Sequence, residues 1–396
     1  MTQQGGTNVS FAAIVQAGVR MRHELHQHPE LAWQEEWTAR YVRQELDRLG
    51  IAWRPCAGTG TIGTLAGGAA GEHRAFRADI DALPIAEATG LPYASHEPGR
   101  MHACGHDGHT ASLLSAAAWL KAHEQALPGP VTLLFQPAEE GGFGARKMIE
   151  DGALAGVGRI FGYHNWPPIP FGRAACVDGP TLGANARFSI TITGRGGHAS
   201  QPEVCRDPVI AGALFITNVQ HVVSRRVAPQ QAAVVSVTIF QAGETGNIIP
   251  DEAVLGGTVR ALTVALRDEI ASHVEKVLHA TCAATGVEGR FDYEPNYPAT
   301  VNEPTSAALG RSALQALLGD NCLWTASVPI MGAEDFSYYL EQVPGAFLLL
   351  GTGREGTPLE PCHSPRFDYD DELIPLVARL WARLAGAPDP GGPPGA

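Results

Sequence analysis

The chain contains 396 residues, 44% of them hydrophobic, and its 28 Lys and Arg residues against 41 Asp and Glu residues give a formal net charge of -13. A chain of this length exceeds the size at which a single hydrophobic core stops growing, so the sequence predicts two domains. The negative charge disfavours nucleic acid and anionic membranes as partners and favours a small-molecule substrate. The chain lacks any run of about 18 uninterrupted apolar residues, so we expect no membrane span.

Cysteine usage and the N-terminal sequence predict a cytoplasmic protein. The seven cysteines are dispersed and include no Cys-x-x-Cys pair, which argues against a disulfide framework and favours a reducing compartment. Residues 1–10 are polar, without the basic and apolar regions of a secretory signal peptide. The Pro- and Gly-rich tail from about residue 386 is predicted to be disordered.

In the first half of the chain, helical and strand patterns alternate. Amphipathic periodicity predicts helices over 11–28 and 37–49, and Gly50 is placed to end the second helix as its C-cap. Further along, strands and helices alternate in the order 74–78, 109–126, 131–136, 144–151 and 159–163. This alternation predicts an α/β domain with a largely parallel central sheet.

From about residue 184 the pattern changes to that of a second domain. Strands and helices follow in the order β-α-β-β-α-β, at 187–193, 207–226, 232–240, 254–262, 266–283 and 287–293. This order is that of a ferredoxin-like α+β fold. We therefore predict an inserted domain over 184–295, between two parts of a catalytic α/β domain at 1–183 and 296–396. The α/β pattern resumes with a helix at 305–318 and a strand at 346–350.

Polar side chains follow several of the predicted strands in the α/β domain. They are Asp79 and Asp81 after 74–78, Glu139 and Glu140 after 131–136, His164 after 159–163, and His363 beyond 346–350. In open α/β sheets, ligands bind outside the carboxyl ends of the strands, so these groups are expected to converge on one site. Each group alone also has a simpler interpretation, as a solvated pair of carboxylates or a hydrogen-bonded core histidine.

The run Met101–Thr110 is the most chemically distinctive stretch of the chain. It places one cysteine, three histidines and two glycines within ten residues. Sulfur and imidazole nitrogen are the usual ligands of zinc-like divalent ions, which makes Cys104 and His106 candidate ligands. For His102 and His109, a supporting or packing role is the simpler interpretation.

Two other features are interpreted as unrelated to function. The segment Gly58–Gly63 matches G-x-G-x-x-G, but no helical pattern follows it, so a dinucleotide site is not predicted. The histidines His23, His26 and His28 lie on or just beyond the first predicted helix, and they are interpreted as surface residues.

Six motifs occur in order along the chain, at Arg77–Pro84, His102–His109, Gln136–Gly141, Gly194–Ser200, Gly246–Pro250 and Gly257–Arg260. Together they resemble the amidohydrolase branch of the M20 metallopeptidase family, which includes hippurate hydrolases, N-acyl-amino-acid amidohydrolases and plant auxin-conjugate hydrolases. The resemblance extends from about residue 20 to 366. It implies an inserted domain that acts as a lid or dimerisation domain, and a homodimer or larger assembly. It also implies two divalent metal ions per subunit, manganese or zinc first and cobalt or nickel as alternatives.

The resemblance also implies roles for individual residues. The metal ligands correspond to Cys104 as the bridging group, His106, Glu140, His164 and His363. Glu139 corresponds to the general base, and His198 corresponds to an oxyanion-stabilising residue that reaches the active site of the partner subunit. Asn247 and Arg260 correspond to substrate-binding residues, with the Arg260 guanidinium gripping a carboxylate.

Two departures from the wider family affect this assignment. Many relatives carry His-x-Asp where this chain has Asp79-Ile-Asp81, so Asp79 is left out of the ligand set. Asp81 is placed behind the ligands, where such carboxylates commonly orient a ligating imidazole. Many relatives also carry a bridging Asp where this chain has Cys104.

The implied activity is hydrolysis of the amide bond of N-acyl-L-amino acids to a carboxylic acid and a free amino acid. Metal-activated water attacks the amide, with Glu139 as general base. A dipeptidase or carboxypeptidase of the same family is the first alternative. A metal-independent thiol hydrolase with Cys104 as nucleophile is the second, although it leaves Glu139 and Glu140 without a role. A non-catalytic metal-binding protein on the same scaffold is the third.

Overall fold

The computed structural model describes residues 10–391, which form two compact units. Within the described residues, the first unit comprises 10–179, 301–328 and 338–391, and the second comprises 180–300 and 329–337. The sequence assigned 329–337 to the catalytic domain. These residues instead contact the second unit, because the Ile330 amide donates to Thr181 O and the Ile330 carbonyl accepts from Gly183 N, both at 3.0 Å. The predicted features of residues 1–9 lie outside the described part of the chain.

The helices and strands follow the predicted alternation along the chain. The helices are α1 (Phe11–Gln27), α2 (Glu36–Leu49), α3 (His106–Ala122), α4 (Gly144–Glu150), α5 (Pro208–Arg226), α6 (Val264–Thr285), α7 (Pro304–Leu318), α8 (Ser337–Leu340) and α9 (Leu373–Ala385). The strands are β1 (Ala52–Cys56), β2 (Gly60–Leu65), β3 (Arg74–Asp79), β4 (Val131–Gln136), β5 (Arg159–Pro170), β6 (Ala174–Ala175), β7 (Gly179–Leu182), β8 (Ala184–Thr193), β9 (Gly197–His198), β10 (Ala233–Ala242), β11 (Ile248–Ile249), β12 (Glu252–Ala261), β13 (Glu288–Pro295), β14 (Thr300–Asn302) and β15 (Gly345–Gly353).

The first unit is built on a seven-stranded sheet in the order β1-β2-β4-β3-β5-β15-β6. Strands β4, β3, β5 and β15 run parallel, and antiparallel partners flank them on both sides. The predicted α/β class with a largely parallel central sheet is therefore confirmed, although the sequence did not predict the antiparallel edges. Because parallel strands end at the same edge, the residues that follow β3 and β4 lie together.

Helices α1, α3 and α9 pack against one another beside this sheet. An aromatic cluster joins the layers, since the Phe76 ring lies 5.0 Å from that of Trp381 and 6.1 Å from that of Phe161. All three side chains are fully buried, and each contributes on the order of 2 kcal/mol of hydrophobic stabilisation. The core thus anchors the C-terminal helix to the strands that carry the polar groups.

Helix α3 begins at His106, three residues before its predicted start. The preceding Gly105 has a φ of 93°, a left-handed conformation that favours glycine. A Cβ atom at Gly105 would also lie only 2.3 Å from the side-chain oxygen of Asn165. Asp107 stands in the first turn, where a carboxylate interacts favourably with the helix dipole. Gly105 therefore places His106 at a buried helix N-terminus.

The G-x-G-x-x-G match lies in a β-hairpin. Strand β1 pairs antiparallel with β2, with Cys56 opposite Gly60, and Gly58 has a φ of 72° in the turn between them. The chain then continues into β3 rather than into a helix. The strand-turn-helix arrangement that a dinucleotide site requires is therefore missing from this described segment.

The second unit is built on a four-stranded antiparallel sheet in the order β10-β12-β8-β13. With helices α5 and α6, the chain order is β-α-β-β-α-β, and both chain order and strand order are ferredoxin-like. Buried and less buried residues alternate along β8, and its buried Phe188 and Ile190 join a core with Phe215 of α5 and Val274 of α6. A separate two-stranded ribbon pairs β9 with β11.

The prediction of disorder from about residue 386 was wrong for residues 386–391. Within 386–391, the Pro388 carbonyl accepts a 2.8 Å hydrogen bond from the Trp119 indole, and Asp389 lies 3.0 Å from both Arg379 and Arg383. The Pro and Gly content of this segment predicted disorder and gave no indication that Asp389 pairs with two arginines of α9. The rest of the predicted tail, 392–396, lies outside the described residues. Among residues 10–391, no helix is long and apolar enough to cross a membrane.

Replacing Gly105 with alanine should destabilise the protein by about 2 kcal/mol or more, because strain at positive φ adds to the clash with Asn165. Chemical denaturation measures the loss. Gly58→Ala is the matched control, since Gly58 also has a positive φ of 72° but no atom within 4 Å of its Cβ position. This control should cost about 1 kcal/mol. Equal losses in the two variants would contradict the steric argument.

Candidate functional site

Potential metal ligands from four separate segments of the first unit converge at one edge of its sheet. Three overlapping groups each have their ligand atoms within 4.8 Å of one another: Cys104, His106 and His164; Cys104, Glu140 and His363; His106, Glu139 and Glu140. Cys104 and His106 flank the start of α3, the glutamates follow β4, His164 lies on β5, and His363 lies beyond β15. The structure thus brings together all six residues that the sequence predicted for this cluster.

The imidazole of His164 faces the sulfur of Cys104. Its Nε2 lies 3.3 Å from Cys104 Sγ, and its Nδ1 lies 2.6 Å from the carbonyl oxygen of Asn165. Since a carbonyl only accepts hydrogen bonds, Nδ1 carries the proton and Nε2 presents its lone pair to the cluster. Burial lowers the pKa of His164 to about 3, which keeps the ring neutral near pH 7. A neutral imidazole is the form that binds a metal ion.

His106 is held from behind by Asp81. Its Nδ1 lies 2.9 Å from the Asp81 carbonyl oxygen and 3.3 Å from Asp81 Oδ1, so Nδ1 carries a proton here as well. Its Nε2 is buried and has no hydrogen-bond partner among the described residues. Burial opposes a charged ring, but the carboxylates of Asp79 and Asp81 outweigh it and raise the pKa of His106 to about 10. A divalent cation at Nε2 would satisfy both the lone pair and these carboxylates.

Glu140 and His363 form the opposite side of the cluster. The two side chains are joined by a 3.0 Å contact between Glu140 Oε1 and His363 Nε2. The backbone amide of Glu140 donates to Asp81 Oδ2 at 3.0 Å, and that of His363 donates to the carbonyl of Ala103 at 2.7 Å. Hydrogen bonding to Glu140 raises the pKa of His363. The mixed sulfur, nitrogen and oxygen donors suit a transition-metal or zinc ion.

Glu139 lies in a tight turn that a second buried carboxylate supports. Its side chain is 7% exposed, and its carbonyl accepts from Gly141 N at 2.7 Å. The preceding Ala138 has a φ of 54°, and its amide donates to Glu35 Oε1 at 2.9 Å. The other oxygen of Glu35 accepts from the Thr59 hydroxyl at 2.7 Å. Burial raises the pKa of Glu35 to about 7.

A hydrogen-bond network next to the predicted ligands includes Asp79 and His109, which the sequence analysis did not place among the ligands. Asp79, excluded from the ligand set, receives 2.5 Å and 2.6 Å contacts from Arg77 and His109, and its Oδ2 lies 3.6 Å from His106 Nε2. His109 also lies 2.7 Å from Asn165 Oδ1. These contacts position Arg77 and His109, and Asp79 remains close to the unpartnered Nε2 of His106.

The prediction that His26 lies on the surface was wrong. His26 is fully buried, and its Nδ1 lies 2.8 Å from Asp107 Oδ2. Arg22, one helical turn earlier, is equally buried, lies 3.6 Å from Asp107 and binds Asp368 and Asp371 at 2.8 Å each. Helical periodicity alone does not reveal that the inner face of α1 meets this buried carboxylate. The cluster anchors the first turn of α3, next to His106.

Cys362 is a neighbour of the site that the sequence did not single out. Its side chain, together with burial, raises the pKa of the Cys104 thiol well above its usual range. The side-chain amide of Asn165 also donates to Cys362 Sγ at 3.7 Å. Its position directly before the predicted ligand His363 was the available signal.

The three other predicted site residues belong to the second unit. His198 lies exposed on β9 opposite Ile248, and its Nδ1 accepts from the backbone amide of Ser200 at 3.1 Å. That bond assigns the proton of a neutral His198 ring to Nε2. The Asn247 carbonyl accepts from Ala199 N at 3.0 Å, so Asn247 lies beside His198. Arg260 is half-buried on β12.

Changing Glu35 to glutamine should stabilise the protein at pH 8 but not at pH 5. The folded-state pKa of about 7 exceeds the ordinary value of 4.5, so ionising Glu35 costs free energy in the folded state. That cost grows as the pH rises from about 4.5 to about 7 and reaches on the order of 2 kcal/mol, which the neutral amide avoids. Denaturation at both pH values measures it. Glu36→Gln, which removes an exposed carboxylate from the next position, is the control, and an equal gain in both variants would contradict the burial argument.

Comparison with known proteins places the chain in a family. A model described as "Peptidase family M20/M25/M40" matches residues 75–387. "IAA-amino acid hydrolase ILR1-like 5" of Arabidopsis thaliana is 40% identical over 375 residues, 93% of this chain and 85% of that protein. "N-acetylcysteine deacetylase" of Bacillus subtilis (strain 168) is 41% identical over 369 residues, 93% of this chain and 95% of that protein. The crystal structure of the Bacillus subtilis YXEP protein, described as a dinuclear metal binding peptidase from the M20 family, matches with a TM-score of 0.82 at 38% identity, covering 95% of this chain and 98% of that one. The chain therefore belongs to peptidase family M20/M25/M40 and is a hydrolase.

Proposed function

We propose that the cluster in the first unit holds two divalent metal ions. The ligands in this proposal are Cys104 as the bridging group, His106, Glu140, His164 and His363. The buried, unpartnered Nε2 of His106 and the lone pair of His164 Nε2 support it, because each imidazole is locked from behind by a carbonyl oxygen. Manganese or zinc fits this donor set first, with cobalt or nickel as alternatives. When bound, such ions supply Lewis-acid polarisation of the scissile carbonyl and a more acidic water.

We propose that the enzyme hydrolyses the amide bond of N-acyl-L-amino acids to a carboxylic acid and a free amino acid. The observation that carries this proposal is the pair Glu139 and Glu140 at the end of β4. Glu140 is paired with His363, whereas Glu139 is nearly buried within the same cluster, where a carboxylate can accept and release a proton. The two relatives named above are named for an IAA–amino acid and for N-acetylcysteine, both amino acids with an acylated nitrogen.

In the proposed mechanism, Glu139 removes a proton from the attacking water and delivers it to the departing amine nitrogen. Nε2 of His198 donates a hydrogen bond to the oxygen that becomes negative as the amide carbon turns tetrahedral. The bond from Ser200 to Nδ1 favours this tautomer. Asn247 and the guanidinium of Arg260 bind the substrate, with Arg260 pairing to the carboxylate of the amino-acid half.

We propose that the second unit forms a homodimer, or a larger assembly, and that His198 completes the active site of the partner subunit. Strand β10 is an edge of its sheet, and it exposes Ile239 and Phe240 by 49% and 41%. Helix α5 exposes Ile210 and Leu214 by 54% and 43%. Exposed apolar groups beside an unpaired strand edge are typical of an association surface.

A dipeptidase or carboxypeptidase of the same family is the second candidate function. It is favoured by the solved structure described as a peptidase, and the same proton transfer serves a peptide bond next to a carboxylate. A panel of N-acetyl, N-benzoyl and long-chain acyl amino acids against dipeptides, each assayed with Mn²⁺ and Zn²⁺, separates the two. Thiol hydrolysis by Cys104 is disfavoured, because it leaves Glu139, Glu140 and His363 without a role although they lie in the same cluster.

The cysteines support a reducing compartment, and we propose the cytoplasm. All seven are free thiols, and six of them are buried. Thiols that remain unpaired throughout a chain are typical of a cytoplasmic protein.

Glu139→Gln should lower turnover of the N-acyl amino acid by about 10²- to 10⁴-fold while leaving the metal content unchanged, because the carboxylate moves protons rather than holding an ion. Hydrolysis assays and elemental analysis on the same preparation test both parts. Glu140→Gln is the matched control at the next position, and it should lose metal together with activity. Full activity of Glu139→Gln would refute its role as general base.

Mixing inactive His198→Ala subunits with inactive Glu139→Gln subunits should restore activity to about a quarter of the wild-type value. Half of the randomly formed dimers are mixed, and each mixed dimer has one intact pair of Glu139 and His198. Native mass spectrometry establishes that subunits have exchanged. If mixed dimers form and remain inactive, His198 acts within its own subunit or not at all.

A further inference from the structure

Two cysteine side chains meet beside the proposed metal ligands. The backbone amide of His363 donates to the carbonyl of Ala103 at 2.7 Å, which brings the residue before His363 next to the residue after Ala103. These two residues are Cys362 and Cys104, and the Cys362 side chain is the largest cause of the raised pKa of the Cys104 thiol. The amide of Asn165 contacts Cys362 Sγ at 3.7 Å and holds it in this position.

The side chains of Cys104 and Cys362 differ in their exposure to solvent. Cys104 is 7% exposed, whereas Cys362 is half-buried, and it is the one cysteine of the seven, all within residues 10–391, that is not buried. A dissolved oxidant therefore reaches Cys362 first. The product formed there lies beside Cys104, because the backbone bond from His363 to Ala103 makes the two cysteines neighbours, and this is the arrangement of an exposed reacting thiol beside a resolving thiol.

We propose that Cys104 and Cys362 form a reversible disulfide when the metal-free protein meets a peroxide, and that this bond prevents metal uptake. The first part depends only on the two thiols and their contact. The second part rests on the function proposed above, in which Cys104 is the bridging ligand. Cys362 is not one of the proposed ligands or catalytic residues, so its role here is separate from the hydrolytic reaction.

The reaction balances with a peroxide as the oxidant. The Cys362 sulfur attacks one peroxide oxygen, the O–O bond breaks, and the sulfenic acid forms as one molecule of water leaves. The Cys104 sulfur then attacks the Cys362 sulfur, the S–S bond forms, and the S–O bond breaks. The departing hydroxide takes the Cys104 proton as a second water. Two thiols lose two electrons and the peroxide gains them, and a dithiol reductant reverses the change by exchange.

The disulfide removes a ligand that both halves of the cluster share. Cys104 belongs to the group with His106 and His164 and to the group with Glu140 and His363. A disulfide sulfur carries no thiolate charge with which to bridge two cations. Metal and disulfide therefore compete for one sulfur atom, and a metal-loaded protein is protected from the reaction.

The test compares full-length protein with and without bound metal after brief treatment with hydrogen peroxide. Alkylation and non-reducing peptide mapping should find the Cys104 peptide linked to the Cys362 peptide in the metal-free sample alone. Zinc uptake, measured by elemental analysis, should be lost after peroxide and restored by dithiothreitol. Absence of this cross-link, or an equal cross-link in zinc-loaded protein, overturns the proposal.

Variants separate this proposal from the assignment of Cys104 as a ligand. Cys362→Ser and Cys362→Ala should take up zinc before and after mild peroxide treatment, whereas Cys205→Ser, which removes a buried thiol of the second unit, should lose uptake as the wild type does. Loss of uptake in both Cys362 variants after peroxide would show that Cys362 is not required. A cross-link with undiminished zinc uptake would instead refute the ligand role of Cys104 and leave the disulfide standing.

Discussion

The geometry of the candidate site depends on Asp81, one buried residue just beyond β3. Its carbonyl oxygen accepts from His106 Nδ1 at 2.9 Å, and its Oδ2 accepts from the backbone amide of Glu140 at 3.0 Å. The start of α3 and the turn after β4 are therefore fixed by the same residue, one through its backbone carbonyl and the other through its carboxylate, although about 59 residues separate Asp81 from Glu140. Support of this kind sets which nitrogen of a histidine is free, and so decides what the site can bind.

The candidate site places several carboxylates and imidazoles in the core. Additional ion pairs in the fold offset the free-energy cost of burying these charges. Asp107 follows His106 on the buried first turn of α3, and Arg22 and His26 of α1 reach it at 3.6 Å and 2.8 Å. An isolated buried carboxylate would cost several kcal/mol, so the helix N-terminus and these two cations are needed together. The position of α1 is consequently tied to the position of His106, and the polar site and the helical layer depend on each other.

The sequence predicted the parallel strands and the cluster because both follow from local patterns. Apolar runs marked β3, β4 and the start of β5, and the strand-end rule placed the following polar residues together. The features that the sequence did not predict depend on contacts between residues that are far apart in the chain. Arg22 binds Asp371, 349 positions away, and nothing in the periodicity of α1 indicates that partner. The same reason explains the ordered contact of Pro388 with Trp119 and the transfer of 329–337 to the second unit.

Asn165 links the proposed ligands to the thiol that lies outside them. Its backbone carbonyl accepts from His164, its side-chain oxygen contacts His109, and its side-chain nitrogen donates to Cys362. A Cβ at Gly105 would collide with the same side-chain oxygen, so the turn before α3 has the shape that Asn165 allows. The side-chain amide of Asn165 therefore orients the His109 imidazole and holds the half-buried Cys362 beside Cys104, the bridging ligand in our proposal. The proposed hydrolysis uses the first of these contacts, whereas the proposed competition between oxidant and metal depends on the second.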